Sequence, residues 1–162
     1  MNSQRLKDLS EHQRQKLLTL IRTRELARFR ESFEYWLFSG YVKTKDEHDP
    51  LNPVKPFPKR EYLRFLAREL QHGPDVQYWA KSRQLAVSWI LCAYAVWKMQ
   101  FFSHSAVFFQ SKRESDAADM IFNTVPNFAR MSLIISTLPE WMRVCISQTA
   151  TGEDILPITL DQ

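Results

Sequence analysis

The run WILCAYAVW, Trp89 to Trp97, is apolar on every face and carries no charge. It is far short of the about 20 residues needed to cross a bilayer, so it predicts a helix wrapped by protein on all sides. A helix of that kind needs other elements around it, and the chain's 162 residues, 44% hydrophobic and 13% aromatic, supply enough apolar surface for one substantial core but not two. No charged, apolar, small-residue leader stands at the N-terminus. Cys92 and Cys145 lie far apart among apolar neighbours, which predicts buried free thiols rather than a disulfide. The net charge of +4 and the pI near 9.2 suit a polyanionic partner without requiring one.

Elements can be placed on either side of that helix. Leu6, Leu9, Leu17, Leu18, Ile21, Leu26, Phe29, Phe33, Trp36 and Leu37 recur at helical spacing, predicting two helices or one bent one, with a basic face from Arg5 to Arg30. Between Asp46 and Lys59, Pro50, Pro53, Pro56 and Pro58 predict an extended connection without regular structure. The stretch REYLRFLARELQ predicts a helix with Tyr62, Phe65, Leu66 and Leu70 on one face, stopped by Gly73 and Pro74. Asp75–Ala80 and Ser105–Gln110 read as short apolar strands, neighbours in a parallel sheet joined by a helix from Ser88 to about Phe102. Ser111 and Glu114 have capping-box spacing before a further helix, residues 138–143 predict a short helix or turn, and 144–147 with 155–160 predict two more strands around a turn. The expected fold class is α/β, a partial P-loop NTPase parallel sheet with flanking helices. Its expected divisions are an N-terminal helical region (1–45), a proline-rich connection (46–59) and a partial P-loop ATPase domain (60–162).

The loop between the first expected strand and the apolar helix, KSRQLAVS, is where chemistry is expected. Phosphate binding needs inward backbone N–H groups, a helix N-terminus behind them, a neutralising cation and a hydroxyl for magnesium. Laid over the pattern G-x-x-x-x-G-K-[ST], Lys81 stands at the first glycine, Ala86 at the second, Val87 at the lysine and Ser88 at the hydroxyl, so only the serine matches. Lys81, at the loop entrance, has a stem long enough to bring its ammonium across the loop.

A loop of the form K-S-R-Q-hydrophobic-G-x-S between strand and apolar helix, preceded by K-P-F-P and a helix, resembles the ATPase of the large terminase subunit of tailed bacteriophages. AVFFQSKRESDAADMI and STLPEWM resemble the segments that follow in that family, so the likeness spans roughly residues 55–143. The resemblance implies ATP and Mg²⁺ as cofactors and DNA packaging as the function. It implies that Lys81 neutralises the β and γ phosphates, that Ser82, Arg83, Gln84, Leu85, Ala86 and Val87 offer backbone amides, that Ser88 ligates magnesium and that Arg83 acts as an arginine finger. Phe57, Pro58 and Tyr62 would form the adenine-side element. It also implies double-stranded DNA, a small terminase subunit and a portal protein as partners, a homo-oligomeric motor, and the host cytoplasm as location.

Two positions depart from the family pattern. Ala86 replaces a glycine, at a cost of about 1 kcal/mol if that position needs a positive φ, and Leu63 follows Tyr62 where a glutamine is common. No apolar strand ends in paired acids; Asp161, after a run containing Pro157, is the nearest candidate. The chain is therefore expected to be the N-terminal part of a longer protein and to be catalytically silent alone. Two other functions are compatible with the residues: a helicase-like nucleic-acid ATPase, and a nucleotide-independent DNA-binding or adaptor module built on the basic N-terminal helices. His12, His48, His72 and His104 lack metal-site spacing.

Overall fold

A computed structural model describes residues 10–46, 49–80, 85–121, 130–143, 145–148 and 155–158. The first helix, α1 (Glu11–Glu31), opens on Ser10: its hydroxyl accepts from the Gln13 N–H and its own N–H donates to Gln13 Oε1, the reciprocal pair of a capping box. Extended backbone at Ser32 ends α1, and the Ser32 hydroxyl caps α2 (Phe33–Leu37) by accepting from the Tyr35 N–H. Two helices rather than one bent helix thus occupy the region. The carboxamide of Gln71 holds the break from outside, donating to the Glu31 carbonyl at 2.8 Å and accepting from the Phe33 N–H at 2.8 Å. Two backbone groups orphaned by the break are satisfied by one side chain.

Strands β1 (Lys43–Lys45) and β2 (Val54–Pro56) pair antiparallel, with Thr44 opposite Lys55. The proline-rich connection therefore does contain regular structure, contrary to the sequence expectation. Its prolines sit where no ladder donor is needed: Pro56 ends the strand, Pro53 offers only its carbonyl, to the Asp46 N–H at 2.7 Å, and the Phe57 N–H closes the ribbon on the Val42 carbonyl. Lys55 bridges Asp46 (2.8 Å) and Asp49 (2.9 Å) across the turn. The two carboxylates push the Lys55 ammonium above its usual range, and Lys55 in turn pulls Asp49 below its own.

Helix α3 (Glu61–His72) buries Leu63 and Ala67, with Tyr62, Leu66 and Leu70 packed partly against the core; Phe65 faces outward, a correction to its expected place on the inner face. Gly73 ends α3 by close approach rather than by a left-handed turn. A Cβ there would meet the Glu69 carbonyl oxygen at 2.5 Å.

Helix α4 (Val87–Phe101) is the central helix that its sequence requires, with Ile90, Cys92, Ala93, Ala95, Val96 and Trp97 buried. It contacts α2 and α3, and also α5 (Glu114–Ile121) and α6 (Arg130–Thr137). The Trp97 indole N–H donates to the Phe29 carbonyl at 2.7 Å, and Phe33 packs edge-on against Tyr94 at 5.1 Å. One cluster therefore contains Phe29, Phe33, Trp36, Phe57, Leu63, Trp97, Ile134 and Met142, drawn from the whole length between residues 29 and 142.

Helix α6 was not assigned from sequence. Met131, Leu133 and Ile134 bury its inner face, and Arg143 caps its end by donating to the Ser136 and Leu138 carbonyls. Helix α5 begins at Glu114, so Ser111 does not cap it. A 3₁₀ turn, Glu140–Met142, occupies the expected short element. β3 (Cys145–Gln148) and β4 (Ile155–Ile158) lie where two further strands are expected, and they pair antiparallel.

The described residues are thus mostly helical with two small antiparallel sheets, and no parallel P-loop sheet is present among them. Residues 75–80 and 105–110 are neither helix nor strand. A strand apolar on both faces needs backbone partners at its edges and cover on its faces. Neither is available from the described residues: Tyr78 is 93% exposed and Phe108 91%. Gln77 instead folds back, donating to the Glu69 and Pro74 carbonyls. No helix among the described residues is long and apolar enough to cross a membrane.

Candidate nucleotide-binding groove

A groove of about 420 Å³ lies between the β1–β2 ribbon, the entrance to α3 and the N-terminus of α4. Thr44, Lys45, Asp46, Lys55 and Pro56 form the ribbon wall, Pro58, Arg60 and Tyr62 the opposite side, and Leu85, Ala86, Val87, Ser88 and Trp89 the floor, with Arg130 entering from α6. Of the residues singled out from sequence, Tyr62, Leu85, Ala86, Val87 and Ser88 meet here. Lys81, Ser82, Arg83 and Gln84 lie outside the described residues.

The floor carries a left-handed residue at the head of a helix. Ala86 adopts φ 54°, ψ 17°, the left-handed conformation, directly before α4, and its carbonyl accepts the first helical bond from the Ile90 N–H. Among the described residues no side-chain cap is present at this N-terminus and the first turn carries no acid, which leaves leading N–H groups without a partner from that set. The Tyr62 hydroxyl donates to the Leu85 carbonyl at 3.4 Å, tying α3 to the loop exit. Val87, at the position of the missing lysine, is only 7% exposed; an ammonium there would start its stem inside the core. Ser88 is half-buried on the groove.

A non-glycine residue in the left-handed region, as Ala86 is, carries a steric penalty. Ala86→Gly is expected to stabilise the protein by about 1 kcal/mol, raising the midpoint of thermal unfolding by about 2–4 °C. Circular dichroism melting checks it, and an unchanged or lower midpoint would contradict the strain.

Cations dominate the walls, with Lys45, Lys55, Arg60 and Arg130 against the single carboxylate of Asp46. Lys55 is already tied to Asp46 and Asp49. The ribbon wall, Arg60 and Arg130 were missed in the sequence: a ribbon of three-residue strands has almost no periodic signal, and nothing local links Arg130 to a loop some 45 positions earlier. Among the described residues no group of three His, Cys, Asp or Glu side chains is placed to hold a metal. Oxygen groups on the groove include the Ser88 hydroxyl and the Asp46 carboxylate, the latter already paired with Lys55; oxygen is the ligand type a magnesium ion takes.

Comparison of the chain with protein-family models, with curated proteins and with solved structures finds no match in any of the three.

Proposed function

We propose that the groove binds a nucleoside triphosphate with Mg²⁺, and that the chain is the nucleotide-binding part of a DNA-packaging ATPase of the large-terminase type. The left-handed Ala86 directly ahead of α4 supports this reading: a glycine-like conformation falls at the residue where a phosphate-binding loop has its glycine. In this reading the phosphates lie on the first turn of α4, Ser88 ligates magnesium, Lys81 and Arg83 reach the β and γ phosphates from the loop, and Tyr62 borders the base. Double-stranded DNA, a small terminase subunit, a portal protein and further copies of the chain are the partners such a motor requires.

Titration of a fluorescent ATP analogue with Mg²⁺ tests the reading. Wild type should bind weakly and saturably, with at least a tenfold loss in Lys81→Ala, and without turnover, because hydrolysis needs a positioned acidic pair that the sequence does not supply. Failure of the wild type to bind would refute it.

A second reading rests on α1, most of which is exposed and which carries Arg14, Lys16, Arg22, Arg24, Arg28 and Arg30. It is a nucleotide-independent DNA-binding module, distinguished by salt-sensitive duplex binding that Mg-ATP leaves unchanged and that charge reversal on α1 removes.

A further inference from the structure

Arg130 comes from α6, outside the loop, the ribbon and every motif in the sequence, yet it lines the same groove as Ala86, Ser88 and Tyr62. Its guanidinium lies over the ring of Trp89, 5.6 Å from the centroid, which anchors it beside the first turn of α4. Its Nε is buried and has no hydrogen-bond partner among the described residues, and no ion pair with a described carboxylate neutralises its charge. A buried guanidinium N–H without an acceptor is uncommon and points to an acceptor that arrives from elsewhere. A guanidinium held over an aromatic ring beside a helix N-terminus matches a phosphate group, which can take two parallel N–H bonds from arginine.

We infer that Arg130 is a phosphate-contacting residue of the groove, supplying from α6 the positive charge that Val87 does not supply from the loop. The inference rests on the nucleotide reading above and adds to it a recognition residue for the triphosphate tail. The groove then reads phosphate from two sides, by backbone N–H groups of α4 and by a side chain docked on Trp89. Arg130 is assigned to the phosphates and not to the base, so adenosine, which carries no phosphate, is the control.

Intrinsic tryptophan fluorescence and calorimetry with the full chain separate the possibilities, using Mg-ATP, inorganic tripolyphosphate and adenosine as probes against wild type, Arg130→Gln and Arg130→Lys. Wild type should bind Mg-ATP and tripolyphosphate. Arg130→Gln should weaken both by about tenfold or more with adenosine binding unchanged, and Arg130→Lys should lose several-fold, because an ammonium keeps the charge without the fork. Wild-type binding of tripolyphosphate matched by both variants would overturn the assignment of Arg130 and leave the groove reading standing. Binding of neither phosphate probe by wild type would overturn both. Should Arg130→Gln fail to fold, Arg130→Lys decides: full tripolyphosphate affinity in that variant overturns the inference, and a several-fold loss at an unchanged melting midpoint supports it.

Discussion

Replacing Trp97 by alanine is expected to lower stability by about 3–5 kcal/mol, a large share of what a domain of this size possesses. Three contributions coincide at this side chain. The ring is 1% exposed in the C-terminal half of α4, it packs against Phe33, Tyr94 and Phe102 with centroids 5.0 to 5.7 Å apart, and its N–H is the donor to the Phe29 carbonyl. Alanine leaves a cavity and also an unpartnered carbonyl near the end of α1. Trp97→Phe separates the two: it keeps most of the apolar contact but not the hydrogen bond, so about 1–3 kcal/mol should be lost. Urea denaturation of both variants measures the difference. Equal losses would show that the indole N–H, not the ring, is what joins α1 to α4. A loss below about 1 kcal/mol for alanine would show that the aromatic cluster is not the core.

Cys92 is expected to be nearly inert in the folded protein. Burial pushes its thiol from 9.0 up to about 12, opposed more weakly by the charge of Arg130. At pH 8 the thiolate, which is the reactive form, is then roughly a thousandfold scarcer than in the unfolded chain, and burial blocks access besides. Iodoacetamide labelling followed by peptide mass mapping, which counts Cys145 separately, should find Cys92 modified about 10³ times more slowly in buffer than in urea. Comparable rates would mean that the packing of α4 against α5 opens readily. The same shift has a pH consequence of definite sign. The folded state holds the thiol proton more tightly, so stability is fully present below the unfolded value of 9.0 and declines as pH rises toward 12. Cys92→Ala should flatten that alkaline slope.

Much of the helical framework was readable from residue pattern. The apolar run of residues 89–97 forced a buried helix, the spacing of residues 6–37 predicted two helices or one bent one, and Gly73-Pro74 marked a stop. These features act within a few residues of themselves, so no knowledge of neighbours was needed. The strand expectations for 75–80 and 105–110 failed for the complementary reason. An apolar run becomes a strand only when other strands take up its N–H and C=O groups, and no described strand does. The ribbon of residues 43–56 shows the converse, as prolines that argue against a strand are accommodated where the partner strand asks for no donor.

The loop sequence KSRQLAVS raised the expectation of a phosphate site and put an alanine where the pattern has a glycine. Local sterics alone tell that a glycine-like conformation at Ala86 carries a penalty; they do not tell that the conformation is adopted. Tertiary packing did that, by setting the loop exit under the Tyr62 hydroxyl and burying Val87 at the head of α4. It also brought Arg60, the ribbon wall and Arg130 to one groove from three separate parts of the chain. Periodicity and turn chemistry are properties of neighbours in sequence, and so can be read in order along the chain. A groove is made of residues that are neighbours only after the core has closed, and it is the burial of α4 on all sides that closes it.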